Sequence, residues 1–517
     1  MRRYLYLGVF FSGFTSLAVE LSASRLLGNY FGSSNLVWAS IIGLILIYLT
    51  IGYSLGGILA DKHPNFYYFF SVLCWAALLV GIIPMISRPI LRFSSQAFDL
   101  MQLGPLFGSF ITVLILFSAP VILLGTASPF AIRLAVEKKT SIGNISGQVY
   151  ALSTLGSFLG TFLPVLIFIP TLGTYVTFLL ISAVLLCISL LGLWKTVNLQ
   201  SAIRYIWMPF LLIILALIGL RGKSKTAQGL IYETESAYNY IQVLEINNYR
   251  FLRLNEGQGI QSIYHPSEIN FKSYWEEIIA APFFYPQECN IESIQRMAIV
   301  GLAGGTSARQ ALSVFPNLII DGYEIDARLI EIGEHYFDMQ NTRLNILIKD
   351  GRWGISHSSE NYQVISIDAF QPPYIPWHLT TQEFFTEVHR HLTNNGVMLI
   401  NVVRLQQDRR LVDSLYMTIK QVFPSVFVMD IPQTFNTTLF ATKQQTNLSS
   451  FFQNLSCLQK KINTPQLLLE VLTFTAENFQ NPPTAGIILS DDRAPVELLT
   501  NQMILKFLSS GNVDLLQ

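Results

Sequence analysis

The residues best suited to chemistry lie in the second half of the chain, each at the end of a short apolar run. Gly301-Leu-Ala-Gly304-Gly305-Thr306 closes the run 297–301 and leads into a helical pattern. Glycines at such a place allow a tight turn and a close backbone approach to a ligand. The run 318–324 ends in Glu324, twenty-three residues after Gly301, where an acid can accept hydrogen bonds from both hydroxyls of a ribose. Asp350-Gly351 follows a third run, 344–348, and Asp350 suits the exocyclic amine of an adenine, although Asp-Gly is also a common turn. Asp368 ends a fourth run, 364–368. The glycine spacing is G-x-x-G-G, not the G-x-G-x-x-G of dinucleotide sites, and this ordered set favours an S-adenosyl-type ligand over NAD.

The elements that must hold these residues alternate between strand and helix. Further strands are expected at 397–403, 426–430 and 438–442, with helices at about 305–315, 326–336, 380–392 and 408–422. That alternation argues a parallel, doubly wound sheet covered on both faces, which binds ligands at the carboxyl ends of its strands. Before it, Tyr240–Ile246 and Tyr249–Leu254 flank Asn247-Asn248, a hairpin signal. A helix is expected over 270–281, ended by Pro282, and another near Pro495, which Asp491 and Asp492 could cap. The Pro-rich aromatic loop 369–378 could cover a pocket or simply connect strand to helix. No metal site is expected: His389 and His391 sit two apart on a helical pattern and face different ways, and His265 and His378 stand apart from them. The four cysteines, Cys74, Cys187, Cys289 and Cys457, are far apart, so neither a disulfide framework nor a zinc site is expected.

Composition sets these elements in a larger chain. Only 13% of the 517 residues are charged and 51% are hydrophobic, against about 25% charged in soluble domains. The net charge of zero sums two unlike parts. Residues 1–220 hold 11 Lys/Arg and 4 Asp/Glu, and residues 221–517 hold 22 and 29. The first part reads as about seven membrane spans, near 4–24, 37–60, 66–87, 107–132, 147–170, 174–194 and 204–220, with a re-entrant or interfacial element at 88–106. Gly52, Gly56, Gly57, Gly156 and Gly160 suit close helix packing, and Pro120, Pro129 and Pro164 suit kinks or helix ends. Glu20 and Arg25 are costly charges within a span, suited to a structural pair or to a polar site facing the second part. The domains expected are 1–220, a transmembrane bundle; 221–285, a linker, β-hairpin subdomain and helix; and 286–517, a nucleoside-binding domain. The acidic second part has no basic patch for nucleic acid.

At these residues the chain resembles the spermidine synthase family, and within it the membrane-embedded branch. The resemblance runs through Tyr238-Asn-Tyr-Ile-Gln-Val, Tyr274-Trp-Glu276, the loop from Val300 to Thr306, Tyr323-Glu-Ile-Asp326, Asp350-Gly351, Ile367-Asp-Ala-Phe, Leu379 to Phe384 and Asn395 to Ile400. Ser490 to Glu497, and Gly13 through Gly28, are similar to motifs of the membrane branch. The resemblance implies a class I S-adenosylmethionine-methyltransferase-like α/β sheet. It also implies aminopropyl transfer from decarboxylated S-adenosylmethionine, as co-substrate, to a small amine or polyamine, without a metal. It makes Asp368 the catalytic acid that takes the amine's proton. Gly301, Gly304, Gly305, Glu324, Asp350 and Gly351 hold the nucleoside, and Tyr238, Asn239, Glu276 and Gln371 the acceptor. Gly304 and Gln371 stand where the family has Asp, Asn239 where it has Gln, and Trp275 where it has His. The nucleoside pocket is thus kept while two anionic groups for a polyamine are missing. Two other readings stay open: an S-adenosylmethionine-dependent methyltransferase on a membrane-delivered substrate, and a polyamine transporter or sensor with a non-catalytic nucleoside-binding domain. The expected location is the cell membrane, multi-pass, in contact with the lipid bilayer. Lys/Arg counts favour a cytoplasmic N-terminus and hence, with seven spans, an outer second half, whereas cofactor supply favours a cytoplasmic one. Homo-oligomerisation is left open.

Overall fold

The structure, a computed structural model, describes residues 1–31, 35–101, 104–136, 142–219, 227–255, 259–286, 289–370, 374–405 and 408–509. The chain divides into two compact units. One comprises Met1–Thr226 with Glu235–Tyr240, the other Ala227–Thr234 with Ile241–Gln517.

The first unit is helical: α1 (Arg2–Phe31), α2 (Asn35–Lys62), α3 (Phe66–Met101), α4 (Gly104–Gly125), α5 (Ala127–Ala135), α6 (Ile142–Leu163), α7 (Ile169–Thr196), α8 (Leu199–Ile203) and α9 (Trp207–Gly219). Among the described residues, six helical stretches are long and apolar enough to cross a membrane. The expected spans 147–170 and 174–194 lie in one of these, Ile142–Thr196, of 55 residues. At 1.5 Å per residue a straight helix of that length would be roughly 80 Å long, far beyond the ~30 Å apolar core of a bilayer. It is broken instead, by a π-helical turn at Pro164–Phe168 and by non-helical Gly173 (φ 80°, ψ 164°), and both α6 and α7 pack on α1. The expected re-entrant element at 88–106 is not found in the described part of that stretch, because α3 continues through Pro84 and Pro89 to Met101.

Small residues set the α1–α6 seam. A Cβ on Gly156 would stand 2.0 Å from the Phe10 carbonyl oxygen, and one on Gly160 2.1 Å from that of Phe14. Gly13 faces Ser153 in the same way, at 2.3 Å. Arg25 pairs with backbone: its guanidinium donates to the carbonyls of Ser236 and Tyr238, the latter at 3.1 Å. Those residues cluster with the helices, as does Glu235, whose carboxylate accepts from the Thr174 N–H (3.0 Å) and hydroxyl (2.6 Å) just past the Gly173 break.

The second unit begins with a four-stranded antiparallel sheet, β1 (Leu230–Glu235), β2 (Tyr240–Ile246), β3 (Tyr249–Leu254) and β4 (Ile260–Tyr264). The expected hairpin is present, with Asn247 and Asn248 both left-handed (φ 54° and 68°), as a two-residue turn of the primed type requires. The expected helix 270–281 is mostly absent. Only α10 (Glu277–Ala280) and a 3-10 turn at Ala281–Phe284 form. The Glu276 side chain takes the N–H groups of Phe271 and Ser273 (2.7 and 2.9 Å), and Lys272 is left-handed (φ 52°), so 271–276 is a tied loop.

The main sheet contains β5 (Arg296–Val300), β6 (Ile319–Glu324), β7 (Leu344–Ile348), β8 (Tyr362–Ile367), β9 (Leu392–Val403), β10 (Ser425–Asp430), β11 (Asn436–Thr442) and β12 (Phe479–Gln480), in the order β12-β10-β11-β9-β8-β5-β6-β7. Ranked along the chain within this sheet, its seven long strands lie 3-2-1-4-5-7-6, the class I methyltransferase-like arrangement. The sheet is parallel only from β7 to β9, since β11, β10 and β12 pair antiparallel. The reason is local: only residues 431–435 separate β10 from β11, too few for a parallel crossover.

The helices are α11 (Thr306–Val314), α12 (Ala327–Tyr336), α13 (Gly351–Ser356), α14 (Gln382–Arg390), α15 (Arg410–Ile419), α16 (Leu448–Gln459), α17 (Gln466–Glu477) and α18 (Val496–Ser509). Alternate residues of each strand serve opposite faces: Met297 and Ile299 join one core with Phe284, Phe451 and Leu472, while Ala298 and Val300 join another with Phe384, Leu415 and Leu499. Helices α16 and α17 were not expected, although Asn447 caps α16 through the Ser450 N–H. They also correct the cysteine reading. Cys457 on α16 and Cys289 form a disulfide with Cα atoms 6.2 Å apart, across 168 residues of sequence.

The glycine seam gives a direct test. Gly156→Leu must push α1 away from α6 and is expected to cost about 1–3 kcal/mol or more, lowering the melting temperature in detergent. Gly57→Leu, at a site with nothing within 4 Å, should leave it unchanged.

Candidate active site

The glycine loop is shaped by the sheet on either side of it. Gly301 has φ +91°, and a Cβ there would lie 2.5 Å from the Asp368 carbonyl oxygen, so the ends of β5 and β8 meet at this residue. Every loop N–H is used internally. Gly301 and Leu302 donate to the Tyr323 carbonyl (2.9 and 3.2 Å) and Gly305 to that of Leu302 (2.8 Å). Ala303 donates to Glu324 Oε2 (2.9 Å) and Gly304 to Ser262 Oγ (2.8 Å). With the N–H groups of residues 301–305 all taken, little of the loop backbone is left to cradle a phosphate, which fits a nucleoside without phosphates better than a dinucleotide.

Glu324 is buried, 7% exposed, at the end of β6. Its Oε1 accepts from the Asp326 N–H (3.0 Å) and its Oε2 from Ala303. Burial pushes its carboxyl up, and these N–H bonds pull it back. Two oxygens carry about four acceptor positions, so lone pairs remain for ribose hydroxyls. Asp350 caps α13 through the Trp353 N–H (2.9 Å), and its other oxygen lies 3.3 Å from His378 Nε2. That contact holds the Asp350 carboxyl below the usual range. Gly351 approaches Val300, with 2.3 Å from a built Cβ to Cγ1.

Asp368 follows β8. Burial pushes its carboxyl up to about 7, against the Asn401 Nδ2, which donates to its Oδ1 at 3.1 Å. Asn401 Oδ1 is buried without a hydrogen-bond partner, as is Thr438 Oγ1 on the residue paired with Asn401 across β9 and β11. The Tyr274 phenol is pushed well up by burial and by the Asp368 and Glu276 carboxyls. It donates to the Ile260 carbonyl at 3.3 Å. Asp368, Asn401 and Tyr274 therefore form a proton-accepting corner with an unmet acceptor beside it, which fits an amine N–H.

Gly301, Gly304, Gly305, Glu324, Asp350, Gly351 and Asp368 gather along the carboxyl ends of β5 to β8. Glu276 has another occupation: besides Phe271 and Ser273 it accepts from Gln310 Nε2 (2.6 Å), so it ties the loop that carries Tyr274. Tyr238 and Asn239 cluster with the helical unit. Gln371 lies outside the described residues. At Gly304 a Cβ would meet Ser262 Cβ at 2.9 Å and Phe337 Cγ at 3.2 Å, so a larger residue would have to displace the β4 side chain. Asp491 caps no helix; it binds Arg352 and Thr381. Sequence reasoning missed Asn401, one residue beyond the 395–400 motif, as well as Ser262, Arg352 and the role of Tyr274.

Residues 299–454 match the spermine/spermidine synthase domain. A probable polyamine aminopropyl transferase of Bifidobacterium longum is 30% identical over 293 residues, 54% of this chain and 64% of that protein's length. A polyamine aminopropyltransferase of Vibrio vulnificus is 26% identical over 306 residues, 57% of this chain and 96% of that one. A crystal structure of a probable spermidine synthase from Corynebacterium glutamicum aligns with a TM-score of 0.38 at 19% identity, over 51% of this chain and 98% of that one. With its sheet order and site, the C-terminal part of the chain is a class I methyltransferase-like α/β domain. The sequence matches make this domain similar to transferases of the spermidine synthase family.

One buried acid beside the site makes a pH prediction. Burial pushes Glu277 up to about 8. Its Oε2 lies 2.9 Å from Thr475 Oγ1, which is also 2.8 Å from the Val471 carbonyl. Thr475 has one proton to give; if Val471 takes it, the Glu277 carboxyl must supply its own. The fold thus keeps a proton that the unfolded chain loses above its ordinary value of 4.5, so this stability is present at low pH and is lost as pH rises toward about 8. Glu277→Gln, permanently neutral, should raise the melting temperature at about pH 9, by the equivalent of a few kcal/mol at most, and change it little near pH 4. Melting curves at both values check this.

Proposed function

We propose that this chain is a membrane-embedded aminopropyltransferase. It transfers the aminopropyl group of decarboxylated S-adenosylmethionine to an amine delivered to Asp368. The single observation that carries the reading is the corner at the end of β8. A desolvated Asp368 carboxyl, at about 7, sits beside Tyr274 and the unmet Asn401 oxygen, directly across from the glycine loop. The amine nitrogen attacks the propyl carbon next to the sulfonium, and that carbon–sulfur bond breaks. The sulfur leaves as the neutral thioether of 5′-methylthioadenosine, and the amine's proton goes to Asp368. Positioning of the two reactants supplies much of the rate, and the carboxylate serves as general base.

Glu324 would hold the ribose hydroxyls and Asp350 the adenine amine. The loop's spent N–H groups support a ligand that brings no phosphate. On the acceptor side, Gly304 and Gln371 stand in place of the family's two aspartates, and Ser262 and Phe337 line position 304. This supports an acceptor with fewer cationic centres than a long polyamine. The apolar helices of the first unit support insertion in the cell membrane as a multi-pass bundle, with the lipid bilayer as its partner.

Turnover at saturating amine tests the base. Asp368→Asn should lower kcat more than 100-fold, on the order of the general-base contribution, while 5′-methylthioadenosine binding stays within about threefold. The carboxylate must be ionised to work, so the wild-type rate should rise with pH through an inflection near 7, which the variant lacks. Unchanged turnover in Asp368→Asn would overturn the assignment.

A further inference from the structure

The segment after α17 carries Ser490-Asp491-Asp492-Arg493, which the reaction described above leaves without a role. In the fold it is wired to the nucleoside end of the site through one arginine. Arg352, two residues after Asp350, donates from Nη1 to Asp491 Oδ1 (2.7 Å) and from Nη2 to Asp491 Oδ2 (2.8 Å), a two-pronged pair. The same guanidinium reaches Glu387 on α14, with Nη2 to Oε1 at 2.8 Å, and the carbonyl of His378 at 3.2 Å. His378 in turn places its ring nitrogen 3.3 Å from the free oxygen of Asp350. Asp491 is itself fixed, accepting from the Thr381 hydroxyl at 2.7 Å. Salt-bridged carboxylates hold Arg352 firmly charged, and Arg352 holds the Asp491 carboxyl below its usual range.

We propose that Asp491 is a positioning residue for the nucleoside site. Through Arg352 it fixes the Asp350 turn and the His378 end of loop 369–378, and so sets the affinity for the adenine nucleoside. The inference rests on the assignment of Asp350 to the adenine. Its physical basis is that a guanidinium fork specifies geometry as well as charge. With Arg352 clamped on both sides, the Asp350 carboxylate is held in place by its helix-cap bond and by His378. With Asp491 neutral, Arg352 keeps only Glu387, and the His378 carbonyl and ring lose their fixed neighbour. Asp491 touches neither the nucleoside nor the amine. Its side chain is 39% exposed, so an isolated stabilising ion pair here would be worth little. A geometric role is the one that would register.

The test is calorimetric binding of 5′-methylthioadenosine to the full chain in detergent, with melting temperatures measured alongside. Asp491→Asn should weaken binding about tenfold, the range of coupling expected for contacting residues. The amine KM should stay within about twofold, and Asp491→Glu should recover most of the affinity. Arg352→Lys, which keeps the charge and loses the fork, should weaken binding to a similar degree, and the double variant should be little worse than either single one. Affinity within twofold of wild type in both folded single variants would overturn the proposal, as would a lowered melting temperature with unchanged affinity. A wild-type chain that binds no 5′-methylthioadenosine would sink the nucleoside reading and this inference together. Wild-type binding with unaffected variants would sink the inference alone.

Discussion

Glu324 is the interaction on which the site depends. One carboxylate, almost without solvent, bonds the Ala303 N–H of the glycine loop and the Asp326 N–H that opens the next helix. It thereby joins β5, β6 and the turns after both. A buried carboxylate is costly unless its lone pairs are met, and the two N–H groups meet only part of that demand. The remainder is what makes the residue useful to a ligand rich in hydroxyls. The Ala303 bond is one of several that occupy the N–H groups of residues 301–305, the others going to the Tyr323 and Leu302 carbonyls and to the Ser262 hydroxyl.

Much of this was legible in the chain. The parallel strands were readable because each is a short apolar run closed by a turn or polar residue, and Glu324 and Asp368 stand where expected, at the carboxyl ends of their strands. The Asn247-Asn248 turn was readable because two left-handed residues in sequence demand asparagine or glycine. What failed to read was whatever depends on partners distant in sequence. Phe271–Glu276 is a loop because Glu276, held by distant Gln310, takes the Phe271 and Ser273 N–H groups. Cys289 and Cys457 meet only because α16 returns across the sheet. The same holds for Asp491, which looked like a helix cap and is a partner of Arg352.

The helical unit follows the same division. Long apolar helices were legible from composition, while the interruption of Ile142–Thr196, a π-helical turn at Pro164–Phe168 followed by non-helical Gly173, lies inside a long apolar run. Gly156 and Gly160 were readable as packing residues, although not which helix they meet. On the acceptor side, Gly304 alone reads as a lost carboxylate. The fold adds that Ser262 and Phe337 have closed around it, so the loss is built into the packing and is not a vacancy that one substitution would refill. The −7 charge of residues 221–517 can still draw a cationic ligand toward the domain, and in the proposed reaction Asp368 would be where an amine arrives.

The central claim is transfer of a propylamine unit, and isotope tracing measures it most directly. The purified full chain would be incubated with decarboxylated S-adenosylmethionine carrying carbon-13 in the propyl chain, a panel of mono- and diamines, and, separately, S-adenosylmethionine. The products would be read by mass spectrometry. The account predicts label on an amine with equimolar 5′-methylthioadenosine, and no product from S-adenosylmethionine. Methylated product and S-adenosylhomocysteine, with no label on any amine, would contradict it.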